Sequence, residues 1–350
     1  MPSTVKKSVP LMDKLVKDKV FEGDWTDLSL CDRVFENCTF KSHEALTVDF
    51  SNSVLNNCRL DGLDLSRSNL NGLVINGCSL QRAVFQNAAI TQLIINKADL
   101  RSSVWDETRL HQSSFNEVNL DQSSWAETVI TDSSFAGCSV HEVRFVDIQW
   151  SNFAFAGADF RSTSFLPKLI EKGVLIGCDF SGQNFTGASI KHCTFNASTF
   201  NNFRSEKSDI EGSLFLDCSL QKVSFRFSRL NFCSFSGSQI IECDFDATEL
   251  KSSNFERVNG SSIRFSRSDL FAARFGGSKL VGSSFNDANL EQTDFGNAVL
   301  MDVSLQDANL KNGMWGGCSV EVALSNQQQQ SLLEGPHLRN SSQDNNPLTQ

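Results

Sequence analysis

The chain has 350 residues, 40% apolar and 21% charged, with 31 basic against 41 acidic side chains and a formal charge of −10. That balance excludes a binder that works by neutralising nucleic-acid phosphates, and nothing approaches the roughly 18 continuous apolar residues of a membrane span. With 29 Phe and 5 Trp but no Tyr, the aromatic rings belong in a dry interior that has no place for a phenol hydroxyl.

In chain order, residues 1–20 read as an N-terminal extension. Its lysines flank no unbroken apolar stretch, so no Sec-type signal is expected, and Leu11, Leu15 and Val20 predict a short capping helix over 11–20. From Trp25 to Val320 every fifth residue is then large and apolar, with Ala45, Ser205 and Gly260 as the exceptions and no charge anywhere on the lattice. Twenty-three of the 29 Phe and all five Trp fall on it. Neither a helix nor a strand period produces such spacing, so a repeat must. Two residues earlier runs a second lattice of mostly small side chains, such as Cys38, Ser53, Ser68, Ala83, Ala98, Ala273 and Ala288. The other three positions of each five are rich in Asn, Asp, Ser, Gln, Lys and Arg, the composition of an outer surface.

Units such as AVFQN, SSFNE, ANLEQ and ADFRS resemble the repeats of pentapeptide-repeat proteins: a small residue, a polar residue, a central Leu or Phe and two variable residues. The resemblance implies an all-β fold, a right-handed quadrilateral β-helix of about 15 coils. Residues 21–322 would form this solenoid, and 323–350, rich in Gln, Asn and Ser, would be a disordered polar tail.

Three places depart from the pattern. Between Pro10 and Pro336 the single proline is Pro167, in a segment where the small position becomes Lys168 and the outward residues turn apolar. Residues 166–177 therefore read as a distorted coil, a break between coil blocks or a protruding loop, with the loop preferred because such excursions cluster on binding faces. Ser205 and Gly260 predict a bulge or small kink.

The chemistry-bearing residues are sparse. Ten of eleven Cys, all but Cys31, sit at the small inward position, where a thiol behaves as a small hydrophobe; this usage reads as core filling in a reducing compartment. Cys38, Cys58 and Cys78 should stack on one face in a geometry poorly suited to a disulfide. No metal, cofactor or catalytic constellation is expected: no C-x-x-C, H-E-x-x-H, G-x-S-x-G or nucleotide-binding glycine pattern occurs, and a filled solenoid offers no concave pocket. His192 and Cys193 should point to opposite sides.

The functional reading is a non-catalytic protein–protein interaction scaffold. Its candidate partner-binding residues are Pro167, Lys168, Glu171 and Lys172 in the irregular segment, and Asp24, Glu44 and Asp64, which share one phase of the four-unit coil. The resemblance further implies bacterial roles with type III or type VI secretion systems and a homodimer through a terminal coil; the cysteine usage reads as cytoplasmic residence, with export by a non-Sec system as the other expectation. The alternative it brings is a DNA mimic that binds or protects DNA gyrase. Against that mimic, acidic residues alternate with Arg and Lys along each phase rather than forming stripes.

Overall fold

The computed structural model describes residues 3–5, 13–24, 28–42 and 47–321. It is an all-β parallel solenoid of about 15 turns, and its chain divides into two compact units, Met1–Asp179 and Phe180–Gln350. Strand partners are equivalent positions of successive turns, as in Phe115↔Phe135 and Leu280↔Leu300, so four five-residue sides complete one turn.

The five-residue period follows from backbone geometry. Both inward positions of each unit point into the core, and the next two residues turn a corner whose second member adopts φ near +55°, as at Asn57, Gln92 and Glu242. Left-handed residues are disfavoured for branched side chains, and among the described residues no Val, Ile or Thr occupies such a corner. The corner N–H donates to a carbonyl of the next turn, as Asn57 N does to Asn76 O at 2.9 Å, so the corners are hydrogen-bonded like the strands.

Inside, equivalent side chains stack one above another. Phe215, Phe235, Phe255, Phe275, Phe295 and Trp315 form one file with neighbouring centroids 4.5–5.0 Å apart, meeting a second file at Phe225, Phe245, Phe265 and Phe285 edge to face. In the first unit Phe85, Trp105 and Trp125 stack likewise, and each indole N–H finds a buried hydroxyl: Trp105 Nε1 donates to Ser103 Oγ at 2.9 Å and Trp125 Nε1 to Ser123 Oγ at 2.8 Å. Hydroxyls at the small position donate to carbonyls of the preceding turn, as Ser53 Oγ to Leu30 O at 2.7 Å and Thr248 Oγ1 to Phe225 O at 3.0 Å. The ten inward cysteines are buried thiols outside any disulfide. Burial pushes Cys138 and Cys178 up to about 11, and Cys233 and Cys243 up to about 12.

The capping helix expected over 11–20 is not formed. Leu11 lies outside the described residues, and Leu15–Lys17 and Lys19–Glu22 are strands, paired with Val34–Glu36 and Thr39–Lys41. The buried residues are Val16 and Phe21, while Leu15 faces outward. The repeat therefore continues upstream of Trp25 with its phase slipped by a single position: Phe21 opposes Phe40 rather than Lys41.

The segment 166–177 keeps its place in the stack, which selects the distorted coil over the protruding loop. Pro167 falls where other turns have a left-handed corner, and its ring forbids positive φ. The left-handed corner is lost at Pro167, and Ser164–Glu171 is an eight-residue strand beside Arg144–Ser151, which keeps its own left-handed residue at Asp147. Pairing slips locally so that Pro167, buried, opposes Ile148.

Ser205 and Gly260 produce no bulge either. Asn259–Ser261 is a regular strand in register on both sides, and the missing side chain is replaced by Ile263, whose Cδ1 lies 2.6 Å from where a Gly260 Cβ would be. Beside Ser205 the small position holds Phe203, which packs on Phe185 and Phe200. Ala45 lies outside the described residues.

Candidate functional site

The outward residues of the second unit include two that contradict the polar rule. Phe227 and Phe232 occupy successive left-handed corners of one turn, with φ of 58° and 61°, and are 51% and 59% exposed. Their backbones are tied down, Phe227 N donating to Asp246 O at 3.2 Å and Phe232 N to Lys251 O at 2.9 Å. A bulky residue in this conformation carries backbone strain of about 1–3 kcal/mol, a cost that a polar corner residue lessens. The rings are thus held rigidly outward at the expense of local stability.

Arginines surround them. The Arg226 guanidinium lies over the Phe227 ring, 5.2 Å from its centroid. Between the two corners Arg229 faces out, balanced by Asp209 at 4.0 Å and Glu249 at 3.8 Å. One turn further on, Asp244 and Asp246 are buried carboxylates that hold three guanidinium groups: Arg226 contacts Asp246 at 3.0 Å and Asp244 at 3.7 Å, Arg264 hydrogen-bonds Asp244, and Arg267 hydrogen-bonds Asp246. These bonds raise the affinity of Arg264 and Arg267 for their protons still further. Two buried carboxylates against three half-exposed guanidiniums leave one net positive charge and fix the donors' directions in advance. Exposed aromatic rings beside ordered arginines are the side chains that dominate protein-binding surfaces.

The residues singled out from the sequence lie elsewhere and are not brought together. Pro167 is buried and presents nothing outward, whereas Leu166 and Lys168 are exposed and Lys172 pairs with Glu171 at 3.8 Å. Asp24 is exposed, but in the first turn Glu22 opposes Lys41 rather than Ser42, so the regular phase does not hold there. Glu44 lies outside the described residues, and the Asp64 carboxylate accepts the Ser66 N–H at 2.9 Å. The signal that marks Phe227 and Phe232 is their place off the lattice. Six Phe depart from it; Phe21, Phe153 and Phe203 are buried, and Phe227, Phe232 and the half-buried Phe271 face out. Among the described residues no three His, Cys, Asp or Glu side chains converge as metal ligands, and no helix is long and apolar enough to cross a membrane.

Two family profiles match the chain: "Pentapeptide repeat region" over residues 208–285, which includes Phe227 and Phe232, and "Pentapeptide repeats (8 copies)" over 49–87, 172–202 and 278–313. Among solved structures, HetL of the cyanobacterium Nostoc sp. strain PCC 7120, a pentapeptide repeat protein involved in heterocyst differentiation regulation, is 19% identical over 73% of this chain and 90% of its own, with a TM-score of 0.22. Full-length QnrB1, a plasmid-mediated fluoroquinolone resistance protein, is 19% identical over 59% of this chain and 97% of its own, with a TM-score of 0.28. PfbA, a surface adhesin of Streptococcus pneumoniae, is 8% identical over 84% of this chain and 85% of its own, with a TM-score of 0.27. A search of curated protein sequences finds no match. The profiles together span about half of the chain, in the repeats whose stacked turns have just been described, and the chain belongs to the pentapeptide-repeat family.

Proposed function

We propose that this protein is a non-catalytic scaffold that binds a protein partner through the surface around Phe227 and Phe232. The observation that carries this reading is the pair of exposed phenyl rings on adjacent corners, set among arginines ordered by buried Asp244 and Asp246. The rings supply apolar area and the guanidiniums directed donors, while the rigid backbone reduces the ordering cost of association.

Pairing along the outward columns, Asp209–Arg229–Glu249 and Arg226–Asp246–Arg267, speaks against the gyrase-directed DNA mimic, which needs continuous acidic stripes. The ten buried thiols, outside any disulfide, support residence in a reducing compartment, and a link to a type III or type VI secretion system rests on the family resemblance.

The test is affinity capture from a bacterial lysate with three baits: the intact chain, Phe227→Ser/Phe232→Ser, and Lys168→Ser/Lys172→Ser. A partner held by the intact chain and by the lysine variant but lost by the phenylalanine variant is the expected result. Retention by all three baits refutes the assignment of this surface, and recovery of gyrase subunits by all three would favour the mimic.

A further inference from the structure

The first unit carries an apolar column on the outside of one sheet. The register pairs Leu15 with Val34, Val34 with Val54, Val54 with Val74 and Val74 with Ile94, so five aliphatic side chains stand in line at the middle of an outward side. Leu15 is 45% and Ile94 39% exposed. The fold does not require apolar residues there, since the same column continues as Ser114, Ser134 and Ala154 in equally regular strands. Beside the column the neighbouring file reads Lys17, Glu36, Asn56, Asn76, Asn96: Lys17 pairs with Glu36 at 2.6 Å and the three asparagine amides hydrogen-bond to one another at 2.9 Å, giving a border satisfied within itself. The adjacent corner file reads Asp18, Asn37, Asn57, Gly77, Lys97, Glu117: Asp18 accepts a hydrogen bond from Asn37 at 3.1 Å, and Lys97 pairs with Glu117 at 3.8 Å, so over the five turns of the column the acid stands at one end and the ammonium at the other.

We propose that this face is a self-association surface on which a second copy of this chain packs with its turn order reversed. Sheets pack face to face about 10 Å apart with strands nearly aligned. A twofold axis at Val54, lying along the strand direction, sets Leu15 against the second copy's Ile94, Val34 against Val74, and Val54 against Val54. The same rotation brings Asp18 of each copy to Lys97 of the other. An axis along the direction in which the turns stack would instead bring the Asp18 end against the Asp13 end of the opposite corner file, acid on acid, so charge selects the reversed arrangement. Five rungs at about 4.8 Å spacing make a contact only about 20 Å long, smaller than the roughly 800 Å² per partner of a standard interface. The association belongs to the weak, concentration-dependent class. It uses a surface separate from Phe227 and Phe232 and does not depend on their role.

Sedimentation equilibrium of the full chain between about 10 µM and about 1 mM, the range of weak complexes, tests the proposal. The expected result is a monomer–dimer equilibrium that Val54→Lys abolishes by opposing two ammonium groups on the axis. Asp18→Lys and Lys97→Asp should each weaken it about fivefold, through two symmetry-related contacts. The double variant Asp18→Lys/Lys97→Asp should restore it, because the exchanged charges meet again. These positions face solvent, and circular dichroism checks that each variant folds. A chain that stays monomeric throughout overturns the proposal. So does a dimer that survives Val54→Lys, which would place the interface at a terminal turn or at Phe227 and Phe232. A double variant that fails to restore association overturns the reversed arrangement.

Discussion

Phe153 and Gly173 fit together across one turn: a Cβ on Gly173 would lie 2.5 Å from Cζ of Phe153. Phe153 fills a position that most units give to a small residue, and its ring meets Trp150 edge to face at 5.3 Å, so it has no room to yield. Gly173→Ala should therefore destabilise the protein by about 1–3 kcal/mol through overpacking. In a Phe153→Ala background the same change should be close to neutral, a coupling that a double-mutant cycle in urea measures.

Gly260 and Ile263 form the converse pair. Because Ile263 occupies the space a residue-260 side chain would take, Ile263→Ala leaves a cavity with nothing beside it to collapse. A loss of about 2–5 kcal/mol is expected in denaturant unfolding, against about 0.5–1.5 kcal/mol for Ile263→Val.

Phe232 is exposed at φ of 61°, a conformation Asn adopts more easily. Phe232→Asn should raise stability by up to about 1 kcal/mol while removing partner binding. Thermal melting and the capture experiment, run on one preparation, check both halves. A variant that loses stability shows that the ring serves the fold instead.

Six buried thiols predict a pH dependence of one sign, while Cys78, lowered by its hydrogen bond with Cys58, contributes in the opposite direction. Burial raises Cys218, Cys233, Cys243 and Cys318 from 9.0 to about 12, and Cys138 and Cys178 to about 11. Above about pH 9 the unfolded chain releases protons that the folded chain keeps, so stability falls as pH rises from about 9 towards 11–12. Urea midpoints should drop over that range and stay level between about pH 7 and 8. At pH 8 a disulfide-exchange reagent should label Cys31 rapidly and the ten buried thiols only on unfolding.

Much of this molecule is legible in its chain alone. The five-residue lattice dictates stacked turns, since no single unit buries its Phe or Leu alone, and the missing Tyr follows because a ring in these files has neighbours above and below and no partner for a phenol hydroxyl. The placement of ten cysteines as small inward residues is equally plain, because in the regular units position decides which way a side chain points.

Other features depend on neighbours one turn away in the stack. The strands that bury Val16 and Phe21 are obscured because a slip of a single position breaks the numerical phase while leaving the pairing intact. Pro167 stands out as a breaker of the pattern, yet its effect is to straighten a corner and bury the proline, an outcome decided by pairing with Arg144–Ser151. Gly260 reads as a defect in the chain, and only packing shows that Ile263 fills it.

By itself, then, the sequence determined the stacked, parallel all-β architecture and the composition of its core, because both follow from which of five positions a residue occupies. Only the tertiary structure decided the surfaces: that Phe227 and Phe232 share one turn, that Asp244 and Asp246 bind three arginines, and that Leu15 to Ile94 form one column. Those relationships run from turn to turn, at right angles to the chain, where the stacking register alone brings residues together.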